Sequence, residues 1–84
     1  MDLANAIITA HAADQMHERQ IALEQVRFVL ERPERVLPVR TGRVVAQAVQ
    51  GEYLVRVFVA VDRDPPEVVT AYRTSKIRKY RSTP

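Results

Sequence analysis

Tyr53-Leu54-Val55-Arg56-Val57-Phe58-Val59-Ala60-Val61 is the stretch whose reading decides the fold. Apolar residues fill both alternating sets. Tyr53, Val55, Val57, Val59 and Val61 line one face, and Leu54, Phe58 and Ala60 line the other beside Arg56. A strand that is apolar on both faces needs cover on both sides, which places it in the middle of a sheet. Arg56 is the exception in this run. A guanidinium in so hydrophobic a strand must be paired, reach solvent along the sheet, or line a site.

Reading outward, Gln50-Gly51-Glu52 is a short hairpin connection back to a β-branched strand over Val44 to Val49. Thr41-Gly42 reads as a turn, and Val36-Leu37-Pro38-Val39 as a strand that its proline confines to a sheet edge. On the other side, Asp62-Arg63-Asp64-Pro65-Pro66 is a turn by composition, and Val68 to Tyr72 is the last strand. Upstream of Pro33 the period changes to that of a helix. Leu23, Val26, Val29 and Leu30 form a stripe that runs through Glu31, and Pro33 ends it. Phe28 lies opposite that stripe, where the N-terminal segment is expected to cover it; the alternative is an exposed apolar anchor. Gln20-Ile21 reads as a tight connection. Before it, a helix runs from Ala10 to about Arg19, with Thr9 as N-cap after the short apolar run Ala6-Ile7-Ile8. Ala12, Met16 and Arg19 share one of its faces. The expected architecture is α+β: two N-terminal helices packed on a mostly antiparallel, four-stranded sheet. One domain spans residues 1–84, with short flexible ends at about 1–5 and 81–84.

Composition narrows the function classes. With 84 residues and 46% hydrophobic content, the chain supports one modest core. It contains no cysteine, so disulfides, a thiolate nucleophile and a cysteine zinc site are excluded, and a reducing cytosol is expected. The first residues lack a basic stretch followed by an apolar one, and no apolar run approaches the roughly 20 residues of a membrane span. The expected location is cytoplasmic, with no membrane partner. Gly42 and Gly51 are the only glycines, too few for a phosphate-cradling loop. His11 and His17 do not share a helix face, so neither a metal nor a cofactor is expected.

The formal charge is +3, and its distribution is uneven. Tyr72-Arg73-Thr74-Ser75-Lys76-Ile77-Arg78-Lys79-Tyr80-Arg81 packs five cations and two phenols into ten residues without an acid. Such a segment is either a solubilising tail or a surface for a polyanion or an acidic protein. Ammonium, guanidinium and phenol groups bind phosphates and stack on bases. Arg40 and Arg43, flanking the Thr41-Gly42 turn, extend the same basic character. His11 stands in the first turn of the first helix, one turn before Gln15. It is the candidate general base or acid; the alternative is a helix-start histidine bonded to backbone. His17 reads as solvated.

Two motifs then coincide. One is His11-Ala12-(x2)-Gln15-Met16-(x2)-Arg19-Gln20-Ile21. The other is Tyr72-Arg73-Thr74-Ser75-Lys76-Ile77-Arg78-Lys79-Tyr80. Together they resemble an uncharacterised family of small bacterial proteins with an HAxxRMxxRGI start and a YRTSKIxKY end, over about Ile7 to Tyr80. That family in turn resembles the barnase–colicin–RelE superfamily, which includes the RelE/ParE-like toxins of toxin–antitoxin pairs. The chain departs from the family pattern at Gln15, where the pattern has arginine, and at Gln20, where it has glycine. Ala22 also stands where a serine cap is usual. The resemblance implies a twisted sheet under two helices and a metal-independent endoribonuclease, with RNA, free or on the ribosome, and a small acidic antitoxin as expected partners. It implies catalytic roles for His11, Arg19, Lys76, Lys79 and Tyr80 and RNA contacts from Arg73 and Ser75; charge and placement in the chain add Arg40, Arg43, Arg56, Arg78 and Arg81 to the expected RNA contacts. Two other readings stand beside it: a non-catalytic toxin-like module that binds a protein target or antitoxin, and an accessory RNA-binding domain.

Overall fold

The computed structural model describes residues 2–81, Arg81 by its backbone alone. Eight elements follow in order: β1 (Ile7–Ile8), α1 (Ala10–Glu18), α2 (Leu23–Glu31), β2 (Arg35–Arg40), β3 (Arg43–Gln50), β4 (Tyr53–Ala60), β5 (Glu67–Thr74) and α3 (Ile77–Arg81). The five strands form one mixed sheet in the order β1-β5-β4-β3-β2. The chain is therefore α+β as expected, but the sheet has one strand more and the fold one helix more than the sequence suggested. β1 pairs in parallel with β5, Ile7 against Glu67 and Ile8 against Val68. A two-residue strand carries no readable period, and its partner lies far along the chain. α3 had two open geometries in the sequence, extended or helical, and the helical one is taken.

β4 is central, antiparallel to β3 and to β5. Val55, Val57 and Val59 join Val44, Ala46, Ala48, Val68 and Ala71 beneath the helices, where Ala12, Met16, Val26, Val29 and Leu30 complete the core. β2 is an edge strand, consistent with Pro38, which has no N–H to give to a second neighbour. The Thr41-Gly42 turn needs its glycine twice over. Gly42 has φ +76°, and a Cβ there would lie 2.8 Å from Asp62 Oδ2.

The helix ends follow local rules. Thr9 Oγ1 accepts the Ala12 N–H at 3.1 Å, the expected N-cap. At the other end of α1, Gln20 N–H donates to His17 O and Ile21 N–H to Met16 O, a Schellman closure with the left-handed position at Gln20, φ +59°. Glycine adopts that conformation without steric cost; here a glutamine holds it. Ala22 begins α2 with half a capping box: Gln25 Oε1 accepts the Ala22 N–H at 2.8 Å, and alanine has no oxygen to return the bond.

Four further expectations meet the structure here. Residues 1–5 are not a loose end as a whole, because Leu3 is buried in the core. Residues 82–84 of the expected flexible C-terminus lie outside the described residues, and Arg81 closes α3. Phe28 is 44% exposed and is not covered by the N-terminal segment. That segment runs beside Arg27 instead, whose Nη1 donates to Ala6 O at 2.7 Å, about 100° around the helix from Phe28. Leu23, expected in the buried stripe, sits exposed in the first turn of α2.

Candidate nucleic-acid interface

On the sheet face away from α1 and α2, Gln47, Arg56 and Tyr72 stand side by side on three adjacent strands. Arg56 Nε donates to Gln47 Oε1 at 2.9 Å, and its Nη1 donates to the Tyr72 hydroxyl at 2.6 Å. Its guanidinium carbon lies 4.4 Å from the Tyr80 ring centroid, with Phe58 and Tyr72 at 5.6 and 5.7 Å. Phe58 and Tyr72 stack on each other. Gln47 is buried, and its amide donates to Tyr80 O at 3.2 Å. The segment after β5 is thus fastened across this face by Tyr80, through its carbonyl to Gln47 and its ring to Arg56. Burial raises the Tyr72 phenol above its ordinary pKa; the Arg56 hydrogen bond pulls the other way, and the Tyr80 phenol adds to the rise. Arg56, expected among the RNA contacts, is here the cation that docks α3.

A second cluster lies along the seam between α1 and β5. The Thr70 hydroxyl donates to Gln15 Oε1 at 2.6 Å, and the Gln15 amide meets His11 Nε2 at 3.2 Å. Arg19 Nη1 donates to Thr70 Oγ1 at 3.0 Å and to Ala71 O at 2.7 Å. A β-bulge interrupts β5 beside this seam. Val59 pairs with Val68 and Phe58 with Thr70, so Val69 is an extra residue that turns β5 locally. In this seam Gln15, the residue that departs from the family pattern, couples His11 to the sheet.

His11 also lines a shallow cleft of about 210 Å³ with Thr9, Arg43, Arg63, Glu67 and the Val68–Val69 backbone. The arginines of this cleft are matched by acids. Arg43 pairs with Asp62 at 3.2 Å, and Arg63 pairs with Glu67 at 3.2 Å. Arg43 therefore meets an approaching anion with its charge largely answered. Arg40, its register partner across the turn, is exposed.

The basic segment leaves β5 at the far end of the strand. Arg73 Nη2 donates to Gln20 Oε1 at 3.3 Å, and its guanidinium carbon lies 4.5 Å over the Tyr53 ring. Lys76 N–H bonds to Thr74 Oγ1, which turns the chain into α3. Ser75, Lys76, Arg78 and Lys79 are exposed, and Lys79 Nζ lies 5.3 Å from the Tyr80 ring centroid. The side chain of Arg81 lies outside the described residues.

The expected site residues thus fall into two groups. His11 and Arg19 meet in the α1–β5 seam, while Lys76, Lys79 and Tyr80 belong to the segment beyond the end of β5. His11 lines the same cleft as Val69, and Thr74 lies five positions further along the strand, roughly 17 Å away. Sequence reasoning missed Gln47, Thr70 and Tyr53 as partners. Gln47 had left a signal, a lone polar residue inside an apolar strand, directly opposite an equally isolated Arg56 across the hairpin.

The geometry defines a small α+β domain with a docked basic segment at one sheet end. Residues 8–73 match the family described as a domain of unknown function, DUF4258, and the chain belongs to that family. The match ends at Arg73, before most of the basic segment. Among curated proteins and among solved structures, no significant match was found. Among the described residues no helix is long and apolar enough to cross a membrane, and no group of three or more His, Asp or Glu side chains converges as a metal site would require.

Proposed function

We propose that this domain is a RelE/ParE-like, toxin-like module that binds RNA through the basic segment following β5, and that it binds without cutting. One observation carries the reading. Arg78 and Lys79 project from a short helix whose Tyr80 is held by Gln47 and Arg56, and Lys76 stands in the turn that leads into it, so the cations sit at fixed places on the domain. Preset cations release counterions from a phosphate backbone without first ordering a tail. Binding is favoured over cleavage because a general base must come within about 3 Å of the proton it removes. His11 stands a strand length from the cations that would neutralise the same phosphate. A small acidic antitoxin would compete for the same segment.

Cleavage remains the second reading, favoured by the His11–Gln15–Thr70 chain, which gives the imidazole a defined orientation. One experiment separates the two. A labelled single-stranded RNA is titrated by fluorescence anisotropy at several salt concentrations, and the same samples are run on a denaturing gel. The triple variant Lys76→Ala/Arg78→Ala/Lys79→Ala should weaken binding and lower the salt slope by about 2, at roughly 0.7 per lost phosphate contact. The RNA should stay intact. Cleavage that disappears in His11→Ala would establish the nuclease reading instead, and an unchanged salt slope would remove the basic segment from the interface.

A further inference from the structure

Resting on the RNA-binding reading, we infer that Tyr53 is a base-stacking platform, so the strand that crosses this end of the sheet is single-stranded. Tyr53 opens β4 and belongs by alternation to the helix-facing set, with Val55, Val57 and Val59 behind it. Those three valines are fully buried, whereas Tyr53 is 38% exposed. The core ends before it reaches this ring. What covers part of the ring is a cation: the Arg73 guanidinium, 4.5 Å away and tied to Gln20 Oε1. A guanidinium over one part of an aromatic ring that is still partly exposed is an arrangement that accepts a further flat π system.

Its position relative to the basic segment supplies the second half of the argument. Leu54 and Thr74 are register partners, so Tyr53 and Ser75 are the next residues outward on neighbouring strands, whose backbones run about 5 Å apart. Lys76 follows immediately. Tyr53 belongs to the helix-facing set and α3 crosses the opposite face, so a strand with a phosphate on Lys76 has to round this end of the sheet for its base to meet the Tyr53 ring. Paired bases in an A-form duplex are stacked on one another and present no free face, whereas an unpaired base does. The ligand class that fits is a single strand, read by stacking and charge and not by base edges.

The test compares three fluorescein-labelled ligands: a single-stranded RNA, its duplex, and an abasic ribose-phosphate oligomer of equal length. Tyr53→Ala should weaken the single strand roughly 5- to 100-fold, the range that base–aromatic stacking supports. It should leave the duplex and abasic ligands unchanged, and Tyr53→Phe should bind as the unaltered protein does. Thermal unfolding of both variants checks that the fold survives. Unchanged single-strand affinity in Tyr53→Ala, with the cation triple variant still impaired, would overturn the stacking role and leave the RNA reading standing. Equal weakening of all three ligands would overturn it too, by showing a general loss. If the unaltered protein binds no RNA at all, the RNA reading itself fails and this inference with it.

Discussion

On the helix-facing side of the sheet the chain presents Val44, Ala46, Ala48, Val55, Val57 and Val59; on the opposite side it presents Gln47, Arg56, Phe58 and Tyr72 beneath a five-residue helix. The same strands carry both sets, one residue apart. The first face is stabilised by burial with no directional demand, and any side chain of suitable volume serves. The second depends on matched donors and acceptors, so each member loses its partner when another is removed. Stability and display are thereby separated within 84 residues. The helices hold the sheet, and the polar face holds the segment that carries the charge.

The largest effect should come from the helix-facing side. Met16 is fully buried between α1 and the sheet, and Met16→Ala should cost about 3 kcal/mol through lost burial and a partly unfilled cavity. The urea midpoint measures it. A cost below about 1 kcal/mol would mean that α1 is only loosely seated, and the contrast between the two faces would collapse.

Arg56→Met tests the other face. It retains apolar length but strands Gln47 Oε1, which is buried, and removes the cation from Tyr80. We expect a global cost of about 2 kcal/mol, mainly from the orphaned acceptor. The local effect is more telling. If Arg56 docks α3, its loss should speed tryptic cleavage after Lys76, Arg78 and Lys79 about tenfold for each 1.4 kcal/mol of docking lost, at protease levels where opening is pre-equilibrated. Unaltered cleavage would show that α3 is held by something other than this cage.

The two faces differed in how far the sequence disclosed them. Alternation through Val55, Val57 and Val59 and the stripe at Val26, Val29 and Leu30 disclosed the helix-facing core, because burial follows period and period is local; at the ends, Tyr53 and Leu23 fall outside it. Thr9, Pro33, Pro38 and Gly42 marked boundaries for equally local reasons. β1 was invisible, since two isoleucines carry no period and their partner, β5, begins about sixty residues later. The Arg56 cage was half visible: the lone cation signalled a partner, but choosing Gln47, Tyr72 and Tyr80 required the register of three strands and the path of α3. His11 and Lys76 looked like parts of one site because a linear pattern holds no distances. The fold sets them near opposite ends of β5.

The smallest expected effect refines the polar face by pH. Tyr72→Phe removes one acceptor from Arg56 in a partly exposed setting and should cost about 1 kcal/mol at neutral pH. Its pH dependence follows from the raised phenol pKa, whose main cause is that burial disfavours the charged phenolate. A folded pKa above the unfolded value of 10.0 means that the native state keeps its proton longer. Its contribution is whole below pH 10.0 and is lost as the pH rises through the folded value. The stability difference between the unaltered protein and Tyr72→Phe should therefore be constant from pH 7 to 9 and narrow above it. Lysine titration affects both proteins alike and cancels in the difference. Paired urea midpoints across that range measure the effect, and a gap that stays constant through pH 11 would mean that Tyr72 ionises as freely as in the unfolded chain. The aromatic wall around Arg56 would then be wet, and α3 would be resting on the sheet face without sealing it.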